Sequence, residues 1–554
     1  MIKFNKKLII TITLFLSFLI IYRLITTGTT TDQDHTKRFT AYFAYEGNSL
    51  PKDNRIMKLI SEKTGTIVKM SWLDGKNVKD SLSVMIASRK YPDFIDGSDA
   101  TADLINAGAF ISLEERLIHY PNLKNYLTED EWNKMRSEDG HIYIIPQFGV
   151  VQGNETDTNH REEAFFIQKA VLKWANYPTI TTIEEYFSLL ETYLISHPET
   201  NGNPTIGFLI LSDDWRDFCL TNPPQFLAGY PNDGCAIVDP SSLSARLYDF
   251  IPESKSYYRR LNQAYLNKVI PANTFVLSYP EYLAFISSGS VLGMVDQYWQ
   301  FESAQEHLYS MGLTEHTYVP LGLTISNDTI EHYRSKEALD TSNGIGISVD
   351  CTDIEGALSF LDALLDPDMM KLRYWGEEGI DYQVSEDGLF YRTNEQRLRT
   401  SNPEYFINNY CSYNFFPHYD GLLKDGMNTV RPNEQPGEFN ASLDQYDKDF
   451  LDAYGYETWV DFLRDPDEIN PPWFPLYTYT NSLSSQSKMG NIKHKIDQIR
   501  KEWIPKIIMS SKGAFDLNWS MYQEYFTQQI DITVYEKGLT QEVRTRCERK
   551  NRTY

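Results

Sequence analysis

Three stretches of the chain set a large aromatic ring beside a carboxylate. Trp299 follows Asp296 and Tyr298 after a strand-like run, Trp215 follows Asp213-Asp214, and Trp375 lies with Glu377 and Tyr382 between glycines. A ring face can stack on the apolar face of a sugar while the neighbouring acid takes its hydroxyls, and Tyr and Trp keep a polar edge for a hydrogen bond. Glycines beside such a group permit close backbone approach. Trp72, at the end of another strand-like run, is a further candidate. Any of these rings could equally pack in a core or at a domain boundary. Glu46 and Asn48 follow the first expected strand, and Asp99 follows another within Gly97-Ser-Asp99. Loops at the carboxyl ends of strands are where open α/β sheets bind ligands, although a solvated loop acid is the commoner case.

Covalent and phosphoryl chemistry leave no signature. There is no G-x-S-x-G elbow, no G-x-x-x-x-G-K-[ST] loop and no H-E-x-x-H, and the histidines are scattered. A pair of carboxylates for glycoside hydrolysis is a matter of geometry that spacing cannot decide. The five cysteines form no C-x-x-C pair, so no zinc or redox motif is present. Cys219 and Cys235 are close enough in sequence to pair if exported, but buried thiols are the default. No cofactor and no metal is expected.

The elements that must position these residues alternate. Phe39–Tyr45 reads as a strand, 55–63 as a helix stopped near Gly65, Thr66–Trp72 as a strand and 78–87 as a helix. Thr182-Ile-Glu-Glu185 is a capping box opening a further helix. Strand 343–349 precedes a helix that turns Ile354, Leu358, Leu361 and Leu365 inward, and Ile492, Ile496, Ile499 and Trp503 mark a late helix. This is the pattern of an α/β protein. The Pro-rich region 432–475 is expected to be irregular surface. The 554 residues leave room for two or more domains. The formal charge of −24 makes nucleic acid and anionic lipid poor partners. Residues 1–31 read as a signal peptide or signal anchor: Lys3, Lys6 and Lys7 precede an apolar run from Leu8 to Tyr22. Those residues cover roughly 22 Å as a helix, short of a span of about 30 Å. A linker at 32–38 follows, and the rest is expected outside the cytoplasm.

Several segments, in order, resemble the bacterial extracellular solute-binding proteins of family 1, the long oligosaccharide-import subgroup. They are Leu59-Ile-Ser-Glu-Lys-Thr-Gly65, Met85-Ile-Ala-Ser-Arg-Lys-Tyr-Pro-Asp-Phe-Ile95, Asn106-Ala-Gly-Ala-Phe-Ile-Ser-Leu113 and Asp139-Gly-His-Ile-Tyr-Ile-Ile-Pro146. The series continues with Ser288-Gly-Ser-Val-Leu-Gly-Met-Val-Asp-Gln-Tyr-Trp299 and Tyr374-Trp-Gly-Glu-Glu-Gly-Ile-Asp-Tyr382. The resemblance implies a two-lobed periplasmic-binding-protein-like fold (type II) with a hinge and an interlobe cleft. It places the first lobe at 39–148 plus 320–370 and the second at 149–319 plus 371–554. It also implies a monomer that carries an oligosaccharide to ABC permease subunits and is not an enzyme. The chain departs from the family twice. The usual lipidated cysteine after the apolar run is missing, since the first cysteine is Cys219. The family's calcium loop is reduced to His197-Pro-Glu-Thr-Asn-Gly-Asn-Pro-Thr205, which keeps too few oxygens for a hard cation. A secreted carbohydrate-active enzyme using a carboxylate pair and a surface sugar sensor are the rival readings.

Overall fold

The computed structural model describes residues 36–552 apart from 74–76, 138 and 468–469, without the side chains of 549–552. The apolar segment expected at 1–31 lies outside the described residues. Along the chain the strands used below are β1 (Lys37–Phe43), β2 (Thr66–Trp72), β3 (Phe94–Asp96), β4 (Ile144–Ile145), β5 (Glu163–Gln168), β6 (Gly293–Gln297), β7 (Tyr318–Leu321) and β8 (Ile345–Ile347). The helices are α1 (Arg55–Thr64), α2 (Val78–Ser88), α3 (Ile183–Ser196), α4 (Tyr298–Ser310), α5 (Ile354–Leu364) and α6 (Lys488–Ile508).

In β1 the alternation of Phe39, Ala41 and Phe43 puts one face into a core and leaves Arg38 and Thr40 outside. Asn54 caps α1 by accepting from the Met57 N–H, and Gly65 ends it at φ 62°, a left-handed conformation that glycine reaches without a Cβ clash. β2 and β3 both pair with β1 in parallel, and β8 runs antiparallel to β3 and β4, giving the order β2-β1-β3-β8-β4. Parallel pairing brings the carboxyl ends of β1, β2 and β3 to one edge, with Phe43 opposite both Trp72 and Asp96. A second sheet has the order β6-β5-β7, and its central strand β5 is buried along its whole length. The capping box at Thr182 and Glu185 opens α3, whose Tyr186, Phe187 and Leu190 pack beneath that sheet.

Among the described residues two large, separate hydrophobic cores result, and Ile237, Tyr248 and Ile251 form a small third cluster. The first draws on Phe39–Val150 and Ile345–Val430, the second on Ala164–Tyr333 and Phe439–Val543. The division expected from sequence differs on two segments: 320–333 joins the second core through Leu321, Leu323 and Tyr333, and 371–430 joins the first. Arg373 shows why the latter does. Its buried guanidinium donates to the carbonyls of Leu364, Ser412, Tyr413 and Pro417, tying the helix Pro367–Tyr374 to the following loop. The Pro-rich region also departs from expectation: it holds helices at Pro436–Ser442 and Gln445–Tyr454, and Phe439, Phe450, Leu451, Trp459 and Leu463 enter the second core. Aromatic burial there outweighs the weak local helix signal.

The chain passes between the cores three times, at 150–164, 333–345 and 430–439. The first passage is laced to the other two. Asp340 N–H donates to Phe148 O and Glu337 N–H to Glu155, while the Thr156 and Thr158 hydroxyls donate to Glu434 and to Asn433 O.

Candidate functional site

The carboxyl edge of the first sheet faces the second core. The loop after β1 carries Glu46 and Asn48, both exposed, and Glu46 Oε2 meets Arg216 Nη2 at 3.0 Å. Arg216 belongs to the second core and is 6% exposed. Its guanidinium lies 3.9 Å over the Tyr279 ring and 4.6 Å over the Trp215 ring, so two π faces hold the cation. Trp215 in turn lies nearly parallel to Phe218 and to Trp299, with centroids 5.9 and 6.0 Å away and planes 18° and 15° apart. Trp215 and Trp299 are each 42% exposed. Together they form an open ledge of two nearly parallel indoles. Two separated stretches build it: a 3-10 turn at Asp214–Asp217 places Trp215, and the start of α4 at the carboxyl end of β6 places Trp299.

Around the passages between the cores the site turns acidic. Asp157, Glu162 and Glu337 are open to solvent, yet burial is the first cause that raises each carboxyl above its usual range. All three acids stand on or just beside the passages between the cores. Neighbouring charges add to the effect: Glu162, Asp157, Asp420 and Glu155 push Glu337 further up. The Tyr477 hydroxyl is raised by burial and then by Asp340, Glu162 and Glu337. On the first-core side burial pushes Asp96 up to about 7, against hydrogen bonds from Ser98 N–H, Gln147 and Tyr45. Tyr45 packs edge-on to Phe148, which is itself exposed. Such a lining offers acceptors to hydroxyl donors and repels an anionic ligand.

Other sequence candidates fall elsewhere. Trp375 and Tyr382 are buried in the first core; Trp375 Nε1–H donates to Thr429 O at 2.9 Å and its ring packs on Tyr382 and Phe390. Neither presents a face to solvent, which corrects their assignment as ligand contacts. Glu377 pairs with Arg55, which also holds Asp381, away from the ledge. Asp296 is likewise buried, accepting from Tyr282 Oη at 2.8 Å and Gln300 Nε2 at 2.7 Å, and burial pushes it up to about 7. It supports the start of α4 from below and does not reach the ledge face. Tyr298 is half-buried against Phe301. Trp72 is half-buried between Phe43 and Phe415, with its Nε1–H buried and unpartnered. Asp99 is exposed in the short 3-10 turn Ser98–Ala100, on the edge that bears Glu46.

Sequence reasoning missed Arg216, Tyr279 and Phe218, and the acids Glu162 and Glu337. Arg216 and Phe218 lie within three residues of Trp215, and that proximity is the sequence signal for them; nothing in the chain announces Tyr279. Cys219 and Cys235 are unpaired and buried, each against its own aspartate, Asp296 and Asp233. The segment His197–Thr205 is a hairpin closed by a Thr200–Thr205 hydroxyl bond of 2.8 Å. Among the described residues no group of three or more His, Cys, Asp or Glu is placed to hold a metal ion, and no helix is long and apolar enough to cross a membrane.

No family model matches the chain. It is 23% identical to lipoprotein LipO of Bacillus subtilis over 158 residues, which is 28% of this chain and 29% of that protein. Solved structures match over nearly the whole length. The alginate-binding protein AlgQ2, without calcium ion, has a TM-score of 0.62 at 14% identity, over 93% of this chain and 98% of that one. The ABC-transporter substrate-binding protein FusA of Streptococcus pneumoniae, in complex with kestose, gives 0.64 at 16% identity, over 92% and 99%. An HMO-binding, ABC-transporter-associated solute-binding protein of Bifidobacterium longum infantis gives 0.61 at 15%, over 92% and 98%. At such identities the likeness establishes the fold: the α/β architecture of substrate-binding proteins.

Proposed function

We propose that this chain is the extracytoplasmic substrate-binding component of an ABC importer, which takes an oligosaccharide between two lobes and delivers it to permease subunits without making or breaking a bond. The observation that carries the reading is the Trp215–Trp299 ledge, open to solvent and facing the carboxyl-edge loops of the other core. The lobes follow the cores: 39–150 with 345–430, and 164–333 with 439–543. The three laced passages are the hinge, and a ligand touching both lobes selects the closed arrangement. Acids around the passages suit neutral, hydroxyl-rich glycans. The protein acts as a monomer, tethered by its N-terminal apolar segment or released where that segment is cut.

The test is intrinsic tryptophan fluorescence of the intact protein, titrated with fructo-oligosaccharides, alginate oligosaccharides and milk oligosaccharides, with the mixtures then analysed for products. A saturable change with the glycan recovered unaltered supports the proposal, and a neutral glycan is expected to bind in preference to alginate. New products would make the protein a carbohydrate-active enzyme. No response from a folded sample would refute an oligosaccharide ligand.

A further inference from the structure

Away from the three passages, polar contacts join the two cores at two places, one of them beside the ledge. One is the pair Glu46–Arg216 at 3.0 Å. The other is Asp103, in the helix Thr101–Asn106, which accepts from the Ser484 hydroxyl at 3.0 Å and the Ser485 hydroxyl at 3.3 Å just before α6. The Glu46 side chain is 61% exposed, whereas that of Arg216 is 7% exposed. Arg216 keeps its seat on Tyr279 and Trp215 from its own core, and its Nε–H is buried without a hydrogen-bond partner. Among the described residues its one ion pair is the carboxylate supplied from the opposite core. Separation of the cores would leave the guanidinium seated on its rings and release Glu46 into water. A contact of that kind can open and re-form, unlike an apolar interface, whose parting exposes area at about 25 cal/mol per Å².

We infer that Glu46 and Asp103 form a polar latch that holds the two lobes shut over the aromatic ledge, with Arg216 and the Ser484-Ser485 turn as the receiving side. This rests on the two-lobed binding reading above. Arg216 touches both the latch and Trp215, so a glycan seated on the ledge lies against the element that fixes closure. The latch sets how far the empty protein is already closed, and therefore how much of the closing a ligand must bring about.

Small-angle X-ray scattering of the full chain without ligand tests it, comparing the parent with Glu46→Gln, Asp103→Asn and the double variant. Arg216 stays in place, so the ledge is intact. Glu46→Gln is expected to raise the open-to-closed ratio about fivefold, as for a partly exposed ion pair, and the double variant further, seen as a larger radius of gyration. The parent should move toward the variants in 1 M salt, where screening acts over about 3 Å. Equal radii for parent and double variant, with equal salt responses, would overturn the latch. No glycan enters this measurement, so a failed latch leaves the fluorescence titration unaffected, and a failed titration leaves the scattering comparison readable.

Discussion

Replacing Trp299 by alanine should weaken glycan binding and leave the fold alone. The indole is 42% exposed. A buried aromatic side chain covers up to ~250 Å², so about 100 Å² of Trp299 is open for a ligand to cover. At ~25 cal/mol per Å² the ceiling is about 2.5 kcal/mol. A sugar that covers one face recovers roughly half of that to two thirds. The expected loss is therefore about 1–2 kcal/mol, or a five- to thirtyfold rise in Kd. Isothermal titration calorimetry is the suitable assay, because the substitution removes a fluorophore. Trp215→Ala should do the same and more, since it also removes a ring on which Arg216 rests. The contrast is Trp375, buried in the first core with its N–H satisfied. Its replacement by alanine should cost about 3–5 kcal/mol of stability, while the molecules still folded bind normally. If Trp299→Ala binds as tightly as the parent, or Trp375→Ala lowers affinity at unchanged stability, the ledge has been assigned wrongly.

Thermal stability should rise as pH falls from 8 to 6.5. Asp96, Asp217, Asp296 and Glu434 are raised to about 7 chiefly by burial, so over this window the folded state binds protons that the unfolded state does not. Below 6.5 His160 and His418, lowered to about 4 by burial, begin to favour the unfolded state and offset part of the gain, but two imidazoles against four carboxyls leave stability still rising. A Tm that climbs with pH between 6.5 and 8 would contradict this, and Asp296→Asn should reduce the slope. Lys169→Met strips the partner from Asp447, both side chains being 1% exposed at 2.5 Å. It should cost about 3–5 kcal/mol in a urea titration, and Lys169→Met with Asp447→Leu should recover much of it; equal losses for single and double would refute the pairing. Gly47→Ala places a Cβ 2.3 Å from the Trp72 ring. The Glu46 loop must then shift, at about 1–3 kcal/mol, and calorimetry should show a lower Tm; an unchanged Tm would mean that the loop does not lie over the ring.

Local structure was legible where one residue type dictates one conformation. The stop at Gly65 and the box at Thr182 each fix an element end within the chain's own neighbourhood. Trp215 and Trp299 were legible as rings beside acids, but their meeting was not, for it depends on where the Asp214–Asp217 turn docks against α4. Trp375 misled for the same reason. Glycines beside a tryptophan permit either ligand approach or tight packing, and only the arrival of Phe390 and Thr429 decides between them. The allotment of 371–430 turned on Arg373, whose partners are backbone carbonyls that carry no residue signature. Glu162 and Glu337 could not be picked from 76 acids before the passages between the cores were traced.

If the two cores move as the proposed lobes, the three hydrogen-bonded ribbons of chain that join them would behave as a door on three pins. A single linker would let one block swivel and slide over the other; three side by side leave essentially one motion, a swing about their common line. The ledge and the opposing loops would then always meet in the same register, and the one quantity a glycan bound as proposed would alter is the angle at which the swing stops. A receptor that gauges that angle would distinguish a well-fitting glycan from one too bulky to let the door close, without touching the sugar.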